Sequence, residues 1–390
     1  MEIPKFIFFA GNNCIDYPKG GITSFSQQFI SVFDNIAIVG STTDDTPIGK
    51  WVIKEFNGKK YYFFSIDRQS PNVIKPFFPA RLSSYLKLKK YKKKILSLNI
   101  KYAFVQNSHF LLAIKDWPFK NKAYFFHGVT NPLSSPRYKV GKYIATMYEN
   151  LMFKRLKTYN AIFAAADDFD IKKLISRSNG KLSFNQIIKF PTRFDDTVFY
   201  STRMTNAREK LDFDKDVNIF VQVGRISKQK GCDFVLDSFS KFHDRIPNSI
   251  LIFIGDGEER ENLQQLINNK KLTNNAFITG FKQKEEVALY YNAANTVLVG
   301  SHMEGWSVSM VEALACGKPI VSTNISGAKD MIIENKNGFI VSNRNSDLFA
   351  KKMLLSLELE NARETSIELA KLYSISTMRQ DIEKKWKPYE

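Results

Sequence analysis

The sequence predicts an α/β protein built from two doubly wound parallel sheets. Three observations point there. Short apolar runs rich in Val, Ile and Phe recur along the chain, each of strand length. Stretches with helical periodicity separate them, which is the alternation that builds βα units. At 390 residues the chain exceeds what one hydrophobic core usually holds, so the alternation is expected to fall into two successive domains.

The elements follow in order. Residues 5–10, inside MEIPKFIFFAGNN, read as the first strand. The run is short, bounded by Gly and Asn, and lacks a basic leader, so it reads as a strand and not a signal peptide. A loop with Gly20-Gly21 then opens a helix from Thr23 or Ser24 to about Phe33. Further strands are expected at 36–39, 61–65, 102–105, 123–126 and 161–165. The second half reads more clearly, with strands at 218–223, 249–254, 276–279, 296–299, 319–322 and 338–341. A strand-like run ends at Phe190-Pro191-Thr192 and a polar segment follows. The domains are therefore expected at 1–191 and 192–373, with a last helix at about 376–385.

Composition narrows the function classes. The formal charge is +18, which favours an anionic partner: nucleic acid, an acidic membrane or a phosphorylated substrate. No zinc-finger, RNP-like or helix-turn-helix pattern accompanies the charge, so no nucleic-acid partner is expected. Cys14, Cys232 and Cys316 have no paired spacing and the four histidines are scattered, so neither a disulfide framework nor a zinc site is predicted. No run reaches the roughly 18 apolar residues of a membrane span. Phe, at 33 residues, is unusually abundant and reads in part as coding bias.

The most informative stretch is 301–323, SHMEGWSVSMVEALACGKPIVST. Glu304-Gly305-Trp306 reads as a loop. Ser307 is the expected N-cap of a helix that starts at Val308 and ends at Gly317, and Pro319 prevents its continuation. A helix start offers free N–H groups and a positive dipole end to an anion such as a diphosphate. Glu304 precedes that start, and Glu312 lies one turn beyond Val308 on a side able to face the same ligand.

Two further strand ends carry charge or turns. Val223-Gly224-Arg225-Ile226, followed by Lys230-Gly231, sits between a strand and a helix, where βα loops line ligand crevices. Two cations on one loop suit a departing diphosphate. Gly255-Asp256-Gly257-Glu258 is a turn after the next strand.

The stretch EGWSVSMVEALACGKPIV, with seven residues between its two glutamates, resembles the signature of retaining glycosyltransferases of family 4. VGRISKQKG resembles the Arg and Lys motif of the same family. The resemblance implies a GT-B fold, in which two Rossmann-like domains face a central cleft. It implies a first, acceptor-binding domain, a second, nucleotide-sugar-binding domain, and a C-terminal helix (374–390) crossing back onto the first. By the same resemblance, Arg225 and Lys230 would neutralise the donor phosphates with Gly224 beside them, Glu304 would hold sugar hydroxyls, and Glu312 would hold the ribose. Gly305, Trp306, Ser307 and Val308 would line the phosphate-binding helix start. Gly255, Phe281 and Lys282 would approach the base. Gly20, Gly21 and Ile22 resemble the glycine loop on the acceptor side. His127, at a strand end, stands where the family places a histidine against the donor sugar. This chain has Gly327-Ala328 and Asp330 where the family often has Gly-Gly and Glu, so no role carries over to Asp330.

The implied reaction is transfer from a nucleotide sugar, UDP-linked first and GDP-mannose second, with retention of configuration, no protein nucleophile and no metal or other cofactor. Domain closure would exclude water. The implied acceptor is a saccharide or lipid-linked saccharide, as in bacterial surface polysaccharide or lipopolysaccharide synthesis. Two rival enzymes remain: a metal-dependent transferase using Asp168-Phe169-Asp170, and a sugar-nucleotide 2-epimerase of the same architecture.

Residues 83–99, SSYLKLKKYKKKILSLN, carry six lysines between Lys87 and Lys94. Leu88, Tyr91, Ile95 and Leu98 fall on one helical face. Such a helix suits an anionic membrane surface on the cytoplasmic side, and 137–139 and 154–157 add charge. A solvated face beside the core is the alternative.

Overall fold

The computed structural model describes residues 3–11, 21–68, 80–129 and 142–386. The chain divides into two compact units, Met1–Pro191 with Ser376–Glu390, and Thr192–Ile375.

Unit 1 runs β1 (Ile7–Gly11), α1 (Gly21–Val32), β2 (Ala37–Thr42), β3 (Trp51–Phe56), β4 (Lys59–Arg68), α2 (Ala80–Lys90), α3 (Lys92–Ile95), β5 (Tyr102–Val105), α4 (Ser108–Ala113), β6 (Asn121–Phe126), α5 (Lys142–Leu156), β7 (Ala161–Ala164), α6 (Asp168–Arg177) and β8 (Ile187–Lys189). Among the described residues these strands form one sheet in the order β3-β4-β2-β1-β5-β6-β7-β8. All pairs are parallel except the β3–β4 edge hairpin, which departs from the all-parallel expectation. Its two-residue turn is Asn57-Gly58, both at positive φ, which matches the right-handed twist of the flanking strands.

Successive side chains on a strand face opposite ways, and the sequence exploits this. Ile7, Phe9, Val105, Phe126 and Ile162 pack with α2–α6 on one face. Phe8, Phe104, Phe125 and Phe163 face the other way. There Phe8 stacks on Phe29 of α1 at 4.6 Å and Phe125 on Phe25 at 4.2 Å. The final helix, α15 in chain order (Ile375–Trp386), seals this layer. Trp386 meets Phe6 at 5.5 Å and Phe104 at 5.4 Å, and its indole N–H donates to Asn121 Oδ1 at 2.6 Å. The abundance of Phe therefore has a structural use beyond coding bias.

The basic segment is not one helix. It breaks at Tyr91, between α2 and α3, and ends in a 3₁₀ turn at Leu96–Leu98. The Tyr91 ring lies over Gly49, and the Trp51 indole donates to the Lys94 carbonyl at 3.1 Å. Leu88 and Ile95 are fully buried in the core, with Tyr91 and Leu98 packed against it. Its apolar face is therefore spent inside the unit. No described helix is long and apolar enough to cross a membrane.

Unit 2 runs α7 (Met204–Lys210), β9 (Asn218–Val223), α8 (Cys232–His243), β10 (Ser249–Ile254), α9 (Arg260–Asn269), β11 (Ala276–Ile278), α10 (Lys284–Ala293), β12 (Thr296–Val299), α11 (Val308–Ala315), β13 (Ile320–Thr323), α12 (Ala328–Met331), β14 (Gly338–Val341), α13 (Ser346–Ser356) and α14 (Ala362–Ala370). Its sheet is wholly parallel, in the order β11-β10-β9-β12-β13-β14. The order reverses direction on either side of β9. Crevices outside the strand ends at such a switch point are where open α/β sheets bind ligands.

Candidate active site

The switch point gathers the loops after β9, β10 and β12. They meet backbone to backbone. A β-carbon on Gly255 would lie 2.0 Å from the Gly224 carbonyl oxygen, and one on Gly231 would lie 2.2 Å from that of Gly300. Both glycines also have positive φ, +146° and +59°, so two constraints fix the residue type at each. Hydrogen bonds stitch the same loops. His302 N–H donates to the Gln229 carbonyl at 2.8 Å, and the Gln229 amide donates to the Met303 carbonyl at 3.0 Å.

This scaffold fixes the charged groups. Lys230 Nζ lies 2.5 Å from Glu304 Oε1, which also accepts from Ser301 Oγ at 2.7 Å. Both side chains of the Lys230–Glu304 pair are largely buried. Arg225 Nε lies 2.8 Å from Glu258 Oε2, in a more exposed pair. Arg225 and Lys230 thus each face a carboxylate from a neighbouring loop. The four charges cancel, and an incoming diphosphate would have to share or displace those carboxylates.

Glu304-Gly305-Trp306 leads into α11, whose N-cap is Ser307 in extended conformation. The Ser307 hydroxyl bonds to Ser309 Oγ at 3.0 Å and does not cap the helix. The first-turn N–H groups have no acceptor within the helix. Trp306 is buried, its ring so close over Gly327 that a β-carbon there would meet it at 2.9 Å. Asp330, on α12, offers its backbone carbonyl to the Tyr373 hydroxyl at 3.2 Å.

Glu312, on α11, sits beside the buried Tyr291 of α10. The phenol lies 3.3 Å from Glu312 Oε2 and 3.1 Å from the Ser309 carbonyl. Burial raises the Glu312 carboxyl to about 7, against the opposing influence of the Tyr291 hydroxyl and the cations Lys284 and Lys230. At the sheet edge, Phe281 is exposed and Lys282 pairs with Glu286 at 2.9 Å. Gly255 bridges to Gly280 just before them.

In unit 1, His127 follows β6. Its Nε2 lies 2.9 Å from Oε1 of Gln106, and burial pushes its pKa down to about 3. Gly21 begins α1 and Ile22 follows it, while Gly20 lies outside the described residues, as do Cys14 and 137–139. The rival aspartates are otherwise engaged. Asp168 and Asp170 lie in the first turn of α6, paired with Lys189 at 3.8 Å and Lys173 at 3.5 Å. Among the described residues no group of three or more metal-ligating side chains is assembled.

So Gly224, Arg225, Lys230, Gly255, Glu304–Trp306 and the start of α11 converge at one end of one sheet. Phe281 and Lys282 stand at its edge, and Glu312 is held one turn inside α11. Sequence reasoning missed four partners: Ser301 and Glu258, which hold the charged pairs, and Tyr291 and Gln106. Gln106 and Ser301 lie just past strand ends, the one signal that could have flagged them.

A family model described as glycosyl transferases group 1 matches residues 203–372. Residues 203–372 belong to that family. Among similar proteins is the alpha-monoglucosyldiacylglycerol synthase of Acholeplasma laidlawii, 32% identical over 155 residues, which are 40% of this chain and 39% of that one. The chain thus matches about two fifths of that synthase. Two solved structures resemble the whole chain. Sucrose-phosphate synthase from Thermosynechococcus elongatus superposes with a TM-score of 0.79 at 15% identity, covering 98% of each chain. Anabaena HepE in complex with UDP and glucose superposes at 0.72 with 15% identity, again covering 98% of each. The fold of this chain is GT-B, two Rossmann-like units in one polypeptide.

Proposed function

We propose that the protein is a retaining glycosyltransferase that moves a sugar from a nucleotide-sugar donor, UDP-linked, to a saccharide or lipid-linked saccharide in surface polysaccharide or lipopolysaccharide synthesis. The observation that carries this reading is the buried Lys230–Glu304 pair set at the start of α11. On binding, the diphosphate takes over Lys230 and Arg225 and meets the first N–H groups of α11. Glu304, released from Lys230, accepts hydroxyls of the donor sugar, and Glu312 accepts from the ribose. Fixed positive groups then stabilise charge on the departing phosphate without a metal. His127 accepts a hydrogen bond from the sugar, and no side chain serves as nucleophile. The complex of HepE with UDP and glucose supports a UDP donor; a GDP-mannose-dependent mannosyltransferase is the second choice.

The test starts with a donor screen by thermal shift, since a selective ligand stabilises the fold. Lys230→Ala should then lower turnover on the order of 10²-fold or more. Near-normal turnover in that variant removes the phosphate assignment. EDTA should leave the rate unchanged. A donor consumed without any acceptor would indicate the epimerase reading instead.

The acceptor side of this proposal includes an anionic membrane surface on the cytoplasmic side. With Leu88 and Ile95 committed to the core, contact would rest on exposed Lys89, Lys90, Lys93 and Lys94. Support also comes from α5, whose exposed residues include Tyr143, Ile144, Met147 and Leu151 and no acid. Exposed aromatic, aliphatic and basic groups together suit a headgroup boundary. Vesicles rich in anionic lipid should bind the protein at low salt and release it at high salt. Absence of binding at low salt removes this part alone.

A further inference from the structure

Three neighbouring strand ends of unit 1 share one hydrogen-bond network. Ala10 is near the end of β1, Gln106 follows β5 and His127 follows β6, and β1, β5 and β6 are adjacent in the sheet. One end of the Gln106 side-chain amide lies 2.6 Å from the Ala10 carbonyl oxygen. A backbone carbonyl only accepts, so that end must be the NH₂ group. Its second hydrogen is placed for Ser26 Oγ, 3.1 Å away. The amide cannot flip without setting two oxygens against each other. The atom 2.9 Å from His127 Nε2 is therefore the amide oxygen, which only accepts. Nε2 must carry the proton.

The ring is held in place for this bond. It stands at 88° to Phe25 and 89° to Phe125, with centroids 5.2 and 4.6 Å away. A neutral imidazole has one N–H, so with Nε2 protonated the other nitrogen, Nδ1, is a bare lone pair. Among the described residues Nδ1 has no hydrogen-bond partner. Burial keeps the ring neutral across the physiological range.

We propose that Gln106 is a positioning residue that locks His127 in the neutral, Nε2-protonated tautomer, so that Nδ1 meets its ligand only as a hydrogen-bond acceptor. His127 then reads a hydroxyl donor and neither donates a proton nor brings a positive charge to it. The choice of a sugar hydroxyl as that donor rests on the glycosyl-transfer reading; the tautomer does not.

The direct test is a ¹⁵N spectrum of the full chain labelled in its four histidines, with His127 assigned through His127→Asn. The expected result at pH 7 is a neutral ring with Nε2 protonated and no titration down to about pH 5. Gln106→Leu should give a mixture of tautomers, and Gln106→Glu should move the titration upward toward neutrality. An unchanged His109 signal, from the same unit, reports that each variant is folded. A wild-type ring protonated on Nδ1, or charged at pH 7, overturns the proposal. So does a folded Gln106→Leu with an unchanged His127 spectrum.

The second arm uses whichever of UDP-glucose and GDP-mannose supports turnover. Gln106→Leu should raise its KM about 2-fold, the factor by which an even mixture of tautomers dilutes the accepting ring, and leave the affinity for the bare nucleoside diphosphate unchanged. A shifted tautomer with an unmoved KM sustains the lock and removes the sugar contact from the proposed function.

Discussion

The two units solve the same topological problem with different materials. Unit 2 positions its strand-end loops through glycine backbones that touch, Gly255 on Gly224 and Gly231 on Gly300. Those loops carry charged side chains, and at Gly255 and Gly231 the close backbone contact leaves no room for a β-carbon. Unit 1 positions its strand ends from beneath, through an aromatic layer that reaches from Phe6 and Trp386 to Phe125 under His127. The contrast suggests a division of precision. Charged pairs must be fixed at the level of backbone, because a fraction of an ångström changes a charge-assisted bond. A ring that only orients a lone pair can be fixed by packing.

If the division holds, perturbations should stay local. The largest effect is expected from Trp386→Ala. Removing a buried indole typically costs about 3–5 kcal/mol. Amide exchange in β1 and β5 should accelerate about 10²–10³-fold while β9 and β10 keep their rates. Uniform acceleration in all four strands would break the comparison. Next is Gly255→Ala, which adds a carbon against the Gly224 carbonyl at a φ that alanine resists. Strain and overpacking there should cost about 2–4 kcal/mol. Here β9 and β10 should exchange faster, β1 and β5 should not, and nucleoside diphosphate binding should weaken with them.

Legibility in the sequence followed the same line. The strands Asn218–Val223, Ser249–Ile254, Thr296–Val299 and Gly338–Val341 were readable to the residue, because strands buried on both faces are unbroken apolar runs. The edge strand Trp51–Phe56 was not legible, since its alternating half-exposed pattern is weaker than an unbroken apolar run. The Asn57-Gly58 turn beside it was the available clue. The break at Tyr91 was invisible because its cause is tertiary: Gly49 and Trp51 are far away in the chain. At the site, residues with fixed spacing, such as Glu304 and Glu312, were legible as a pattern. Gln106 has no spacing to anything and becomes visible only when three strand ends are side by side. That Lys230 and Arg225 would already face carboxylates was likewise beyond a reading that located the cations by motif alone.

The smallest predicted effect tests whether unit 2 tolerates a buried titrating group for its site's sake. Glu312 titrates at about 7, above its usual 4.5, because burial disfavours the carboxylate. The folded state therefore holds a proton that the unfolded state gives up between about 4.5 and 7. The associated stability is fully present below 4.5 and is lost as pH rises through 7. Glu312→Gln removes the titration, so its unfolding midpoint should vary less with pH across this window than that of the natural chain. At pH 8 the variant should be equally stable or more stable, by about 1–3 kcal/mol. Ribose recognition should respond in the opposite sense: the amide accepts more weakly than a carboxylate, so nucleoside diphosphate affinity at pH 8 should fall. A variant less stable than the parent at pH 8 would mean that Tyr291 and the nearby lysines already offset the burial of the charge.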